Sequence, residues 1–104
     1  MILYEVTVDV QPPIAEEYLE WLLEHIDGME SFQGFGEAKL YKDTAVGPSV
    51  VRWVIVYPVD TRADLETYVR VHAPRMREDG VTRFSDQFTA SRRILEPKSR
   101  KNQS

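Results

Sequence analysis

The chain has 104 residues, of which 42% are hydrophobic and 11% aromatic, and it carries a formal net charge of −4 with no cysteine. This length allows one domain with one core, and the lack of cysteine excludes a disulfide framework, a thiolate nucleophile and a zinc knuckle. An acidic body repels phosphate, and no apolar stretch approaches the ~20 residues of a membrane span. We therefore expect a cytoplasmic globular protein with no nucleic-acid partner and no membrane segment.

The sequence predicts a single domain at residues 1–96, followed by a disordered basic tail at residues 97–104. Lys98, Arg100 and Lys101 supply the positive charge of this tail. A short basic end of this kind is more typical of a solvated terminus than of a binding arm.

The first half of the predicted domain begins with a strand and a helix. Apolar residues at every second position predict a strand at residues 2–10. Pro13 suits the first turn of a helix, and helical spacing of apolar residues then runs from Ile14 to Ile26. We expect Gly28 to end this helix.

The second half is predicted to hold three strands and a second helix. The strands lie at residues 35–42, 50–57 and 88–95. Thr61 and Asp64 form a capping box at the start of a helical stripe that continues to Ala73. We expect Pro74 to disturb this helix, with a further helical turn at residues 75–80.

The order of elements indicates the fold class. Strand, helix, strand, strand, helix, strand is the split β-α-β arrangement of ferredoxin-like α+β domains. Right-handed crossovers place both helices on one face of a four-stranded antiparallel sheet, with strand order 4-1-3-2.

Two apolar surfaces predict a homodimer. The first helix has an apolar arc of roughly 200°, wider than one sheet can cover, and the third strand is apolar on both faces, with Trp53 and Ile55 on one and Val54 and Val56 on the other. A second copy would cover the excess by closing two sheets into a dimeric α+β barrel. The alternatives are cover by the neighbouring helix and cover by the chain's own loops.

His25 and His72 are the only histidines, and each lies on or beside an apolar helix stripe. Trp21 and His25 are four residues apart, so they share a helix face and could form a pocket wall beside Tyr18. The alternative is a packed core edge in which the His25 imidazole bonds a carbonyl. His72 could act as a general base, or it could bond a carbonyl that Pro74 leaves free.

The candidate ligand-binding residues also include Trp53 and Tyr41. Tyr41 or an arginine could stabilise negative charge that develops on a substrate. No catalytic residue is assigned. Neither histidine has a second ligand at metal-site spacing, and Gly34-Phe35-Gly36 lacks the rest of a dinucleotide fingerprint. The sequence therefore predicts neither a metal nor a cofactor.

Polar residues on the first and last strands offer a further prediction. Glu5, Thr7 and Asp9 share one face of the first strand, and the last strand carries Arg92 and Arg93. We expect carboxylates and arginines to pair inside a dimer barrel, whereas on a solvated face they would only aid solubility.

The chain resembles domain-of-unknown-function family 4286 over residues 1–96. The resemblance rests on five segments, which are Met1-Ile2-Leu3-Tyr4-Glu5-Val6-Thr7-Val8, Trp21 with His25-Ile26, Arg62-Ala63-Asp64-Leu65-Glu66, His72-Ala73-Pro74-Arg75-Met76-Arg77-Glu78-Asp79-Gly80 and Arg83-Phe84-Ser85-Asp86-Gln87-Phe88. Asp27 stands where the family has a proline. The family implies a homodimer of the ferredoxin-like dimeric barrel group, with a cleft between helices and sheet.

Three hypotheses follow for function. The first is a protein that binds a small apolar or aromatic molecule in the cleft. The second is a cofactor-independent monooxygenase-like or isomerase-like enzyme with a histidine base. The third is a structural or partner-binding dimer without a pocket. Likeness of fold does not choose among them.

Overall fold

In the computed structural model, which describes residues 1–100, a four-stranded antiparallel sheet is covered by helices on one face. The elements are β1 (Ile2–Val10), α1 (Ala15–Glu30), β2 (Lys39–Lys42), β3 (Val51–Val59), α2 (Arg62–Thr67), α3 (Ala73–Phe84) and β4 (Phe88–Leu95). The strand order is β2-β3-β1-β4, which is the predicted order 4-1-3-2 counted from the opposite edge. The ferredoxin-like α+β fold is therefore confirmed.

The two faces of the sheet differ in burial because side chains alternate along each strand. The helix-side face is buried, and in β1 and β3 it contains Tyr4 opposite Tyr57, Val6 opposite Ile55 and Val8 opposite Trp53. The open face contains Glu5 opposite Val56, Thr7 opposite Val54 and Asp9 opposite Arg52. The core lies between the helix-side face and the helices.

The helix α1 continues past the predicted end at Gly28 and reaches Glu30. The prediction that Gly28 ends the helix is wrong because the last turn packs against α3. Met29 is buried there, and the Met76 side chain lies within ordinary contact distance of Gly28. The Ser31 hydroxyl then donates to the Gly28 carbonyl oxygen at 2.6 Å, which satisfies one of the free carbonyls at the helix end.

The strand β2 is shorter than predicted because the segment before it leaves the ladder. Phe35 pairs with Val59 as an isolated bridge, and regular pairing with β3 resumes only at Lys39. Pro58 has no N–H to donate at this point, although its carbonyl accepts from Gly36 N at 2.9 Å.

The helix α2 starts at the predicted cap, where Thr61 Oγ1 accepts from the Asp64 backbone N–H at 3.1 Å. A π-helical turn at Tyr68–His72 follows, and α3 begins at Ala73. Pro74 therefore does not end the helix. Its missing N–H and its ring are accommodated by the wider turn, in which Ala73 N donates to the Tyr68 carbonyl oxygen.

Two ion pairs lie on the open face. Arg52 Nε is 2.6 Å from Asp9 Oδ1, and Arg93 Nε is 2.7 Å from Glu5 Oε1. The expected pairing of strand carboxylates with arginines is thus present within one chain.

The end of the chain follows β4. Residues 97–100 of the predicted tail have no regular secondary structure, and residues 101–104 lie outside the described residues. Over residues 1–100, no helix has both the length and the apolar character that crossing a membrane requires.

Candidate ligand-binding cleft

A cavity of about 50 Å³ lies between the sheet and the helices α1 and α3. Its polar and aromatic lining consists of Tyr4, Tyr18, Trp21, His25, Tyr57, Tyr68, Arg77, Phe88 and Arg92. One water needs about 10–15 Å³ of cavity volume measured in this way, so the cavity has room for roughly four waters. Four waters fill about 120 Å³ in the liquid, which is near the volume of one aromatic ring. We call this cavity the cleft.

One wall of the cleft is a stack of two rings on α1. The Trp21 and His25 ring centroids are 4.7 Å apart, with an angle of 23° between their planes. Gly80 on α3 allows the helices to approach this wall, because a Cβ atom there would lie only 3.1 Å from Trp21 and 3.2 Å from Phe88. The small residue therefore sets the width of the cleft at its α3 side.

Three buried tyrosine side chains line the cleft. The side chains of Tyr18, Tyr57 and Tyr68 are at most 3% exposed, and all three line the cavity. Within residues 1–100, no enclosed side-chain oxygen or nitrogen lacks a hydrogen-bond partner. These hydroxyls make no hydrogen bond to the described residues, so they must reach open space, and the cleft is the space they line.

The three tyrosines stay protonated at neutral pH. Burial raises the pKa of Tyr68 to about 12, and it raises the pKa values of Tyr18 and Tyr57 further. Each hydroxyl can therefore both donate and accept a hydrogen bond. The cleft offers several such groups to one small ligand.

His25 is held in its neutral form. Burial is the largest cause, and it lowers the pKa of His25. The charge of Asp79 acts in the opposite direction, and the charge of Arg92 lowers the pKa further. A neutral imidazole has a free lone pair and can accept a proton or a hydrogen bond. Its placement beside the cleft makes it the best-placed base in the lining.

Two arginines complete the lining at its exposed side. Arg77 Nη2 donates to the Tyr4 hydroxyl at 3.4 Å, and the charge of Arg92 lowers the pKa values of Tyr18 and Tyr68 against the larger effect of burial. No aspartate or glutamate is among the lining residues. The charged groups that line the cleft are therefore cationic.

The structure brings two of the five predicted site residues to the cleft. Trp21 and His25 line it, whereas Trp53 lies beneath Tyr18 with parallel rings, 6.1 Å between centroids and 4° between planes. His72 stacks on Phe32 at 4.3 Å, away from the cleft.

Tyr41 lies outside the cleft. It pairs with Val54 on the open face of the sheet and is 52% exposed. Neither histidine makes a hydrogen bond to a described backbone carbonyl, and each instead stacks on an aromatic ring, His25 on Trp21 and His72 on Phe32.

The sequence interpretation placed Tyr18 beside the pocket wall, but it did not identify Tyr57, Tyr68 or the two arginines as lining residues. Alternation along β4 was a usable signal, because it sets Arg92 on the same side as Phe88 and Ala90, facing the helices. Tyr4 alternates inward in the same way on β1. The position of Arg77 had no such local signal, since it depends on how α3 lies across the sheet.

Over the described residues 1–100, no group of three or more histidine, cysteine, aspartate or glutamate side chains could hold a metal ion. The groups that could hold the charged part of an organic molecule are Arg77 and Arg92.

Solved structures share this architecture. A protein of Deinococcus radiodurans assigned to the antibiotic biosynthesis monooxygenases is similar, with a TM-score of 0.75, 13% identity and coverage of 98% of this chain and 97% of that one. The heme-degrader MhuD of Mycobacterium tuberculosis, solved with two hemes in its active site, has a TM-score of 0.65, 14% identity and coverage of 93% and 95%. At such low identities the likeness shows the fold alone.

The fold thus places the chain among the ferredoxin-like α+β proteins. Within that class, the chain belongs to the family described as Domain of unknown function (DUF4286), whose model matches residues 1–98. The family predicted from sequence is therefore confirmed. No curated protein matches the chain.

Proposed function

We propose that this protein is a homodimer that binds a small molecule with a flat, apolar or aromatic body in the cleft between helices and sheet. The observation that carries this proposal is a cavity between helices and sheet that is lined by aromatic rings and by the buried side chains of Tyr18, Tyr57 and Tyr68. A largely apolar cavity with a few polar groups is typical of a small-molecule site.

The size of the cleft limits the ligand. MhuD holds hemes in its active site, but a cavity of about 50 Å³ has room for one ring and not for a porphyrin. Trp21, Phe88 and the tyrosine rings offer aromatic faces to such a ring. A single-ring compound is therefore the proposed ligand.

The proposed dimer forms through the open face of the sheet. Val54 and Val56 lie in the middle of this face and are half-buried, while Tyr41 beside them is 52% exposed. Covering this apolar centre with the same face of a second copy would stabilise the fold, because a domain of this size buries a limited core.

Sedimentation equilibrium tests the dimer. The unsubstituted chain should sediment as a dimer at micromolar concentration, and Val54→Asp should shift it to monomer. Val81→Asp is the matched control, since Val81 is 55% exposed on α3 and away from the open face. A monomeric unsubstituted chain, or equal effects of the two variants, would remove this part of the proposal.

A cavity-filling variant tests the ligand site. Benzamide, a neutral single-ring probe, should bind in the millimolar range by isothermal titration calorimetry. Ala90→Leu places a larger side chain in the cleft and should abolish binding. Ala63→Leu makes the same change at an exposed position on α2 and should leave binding unchanged. Binding that survives Ala90→Leu would place the ligand elsewhere.

The lowered pKa of His25 favours a second candidate, a cofactor-independent enzyme of the monooxygenase or isomerase type in which His25 takes a proton from the ligand. His25→Gln should then abolish turnover of a single-ring substrate, while His72→Gln should not.

The hypothesis of a structural or partner-binding dimer without a pocket gains no support from the lining of the cleft. A cytoplasmic setting stays a prediction from the sequence, to be tested by cell fractionation.

A further inference from the structure

The charged residues that line the cleft are opposite in sign to the charge of the whole chain, although Asp79 acts on His25 and Glu30 acts on Tyr57 from outside the lining. The protein has 17 acidic and 13 basic residues apart from histidine, yet the cleft is lined by two arginines and no carboxylate. A random sample of this surface would favour acidic groups. The cationic lining therefore calls for an explanation at the site itself.

The two guanidinium groups are not neutralised by ion pairs. Arg52, Arg62, Arg83 and Arg93 each form a salt bridge with a carboxylate. Among the described residues, Arg77 makes its hydrogen bond to the Tyr4 hydroxyl, which is not a carboxylate, and Arg92 makes none. Both groups keep donors that can serve a ligand.

The neighbours of these arginines are also donors. The cleft tyrosines are protonated phenols, and Arg92 is close enough to act on Tyr18, Tyr68 and His25. A guanidinium fork and phenol hydroxyls that converge on one small space match the oxygens of a carboxylate, which accepts up to four hydrogen bonds.

We propose that the ligand of the cleft is a single-ring aromatic carboxylate, whose ring lies among the aromatic side chains of the cavity and whose carboxylate is bound by Arg92 and Arg77. This inference rests on the proposed function and specifies its ligand class. A carboxylate, with one negative charge, suits this site better than a phosphate dianion, since the net charge of the chain is −4.

Benzoate and benzamide form a matched pair of probes, because they share one shape and differ in charge. Binding of each is followed by NMR titration of the Trp21 indole signal. We expect benzoate to bind about tenfold more tightly than benzamide at low salt, as charge-assisted hydrogen bonds do in comparison with neutral ones. The preference should weaken as salt is added.

Arg92→Gln should reduce the preference to about one, because it should weaken benzoate binding far more than benzamide binding. Retained benzamide binding also shows that the variant is folded. Arg75→Gln removes the same charge from an exposed position on α3 outside the lining and should keep the preference.

The outcomes separate the inference from the function on which it rests. Equal binding of the two probes would overturn the carboxylate assignment and leave the proposed function standing. Equal effects of Arg92→Gln and Arg75→Gln, or tighter binding of phenyl phosphate than of benzoate, would also overturn the assignment. If neither benzoate nor benzamide perturbs Trp21, the proposed function fails and the inference fails with it.

Discussion

Trp21 and His25 stack with their ring centroids 4.7 Å apart, so the tryptophan covers one face of the imidazole at the edge of the cleft. This contact joins the core of the protein to the site, because Trp21 also contacts Tyr18, at 5.4 Å between centroids. The pKa of the His25 imidazole therefore depends on how α1 packs.

The first prediction concerns the pKa of His25, which should lie below its ordinary value of 6.5 because burial disfavours the charged form. NMR titration of the imidazole protons measures it directly. Trp21→Ala uncovers the ring and should raise the pKa of His25 toward 6.5.

The same shift predicts the sign of a stability change. As pH falls below 6.5, the unfolded chain binds a proton at His25 more readily than the folded chain, so the free energy of unfolding decreases. His25→Gln should make the free energy of unfolding less dependent on pH in this window. A His25 pKa at or above 6.5 would contradict the account.

The second prediction separates the ring of Tyr18 from its hydroxyl. The ring packs against Trp53, Phe84 and Phe88, with 5.0 Å between the Tyr18 and Phe84 centroids. Tyr18→Ala should lower the free energy of unfolding by about 3–5 kcal/mol. Tyr18→Phe should lower it by less than about 1 kcal/mol, since the hydroxyl bonds no described residue.

Urea unfolding measures both variants. A large loss in Tyr18→Phe would show that the hydroxyl has a structural partner within the protein, and it would weaken the argument that the group serves a ligand.

The third prediction concerns the loop between α1 and β2. Gly34 has a φ of 83°, and a Cβ atom there would overlap the Asp64 carboxylate. Gly34→Ala should destabilise the protein by about 1–2 kcal/mol, because residues with a side chain rarely adopt this conformation.

Gly47 is the matched control for Gly34. It has no atom within 4 Å of a built Cβ, so Gly47→Ala should change stability by less than about 1 kcal/mol and in the stabilising direction. Equal losses in the two variants would mean that the Gly34 conformation is not required.

The fourth prediction concerns acid stability. The hydrogen bond from Arg52, at 2.6 Å, holds the pKa of Asp9 below its ordinary value of 3.8. The stabilisation is therefore complete above pH 3.8 and is lost as pH falls through the lowered pKa of Asp9.

Thermal unfolding at a series of pH values checks this prediction. Asp9→Asn should lower the melting temperature at neutral pH, and the difference should shrink in acid. Asp86→Asn, at an exposed position, should not show this pattern. A difference that grows in acid would have the wrong sign for this ion pair.

Local patterns were sufficient to predict β1, β3, β4 and the Trp21–His25 pair, and the handedness of crossovers predicted the strand order, whereas β2 begins later than predicted. Alternation and helical spacing act between residues close in sequence, so they are visible without a structure. The end of α1 was predicted wrongly because the contact of Gly28 with Met76 joins residues far apart in the chain.

The candidate site was predicted in part for the same reason. Trp21 and His25 lie on one helix face, whereas Arg77 on α3 and Arg92 on β4 are far apart in sequence and line one cavity only in the folded chain. His72 and Tyr41 have suitable chemistry, but the crossing of the helix and the pleat of the sheet direct them away from the cleft. Such directions depend on tertiary packing, which spacing alone does not determine.

The central claim is that the cleft between helices and sheet is a ligand site. Two-dimensional NMR of the isotope-labelled protein during titration with benzoate tests it most directly. The account predicts saturable shifts concentrated at Trp21, His25, Gly80 and Ala90, around the cavity. Absence of shifts, or shifts confined to the open face around Val54, would contradict it.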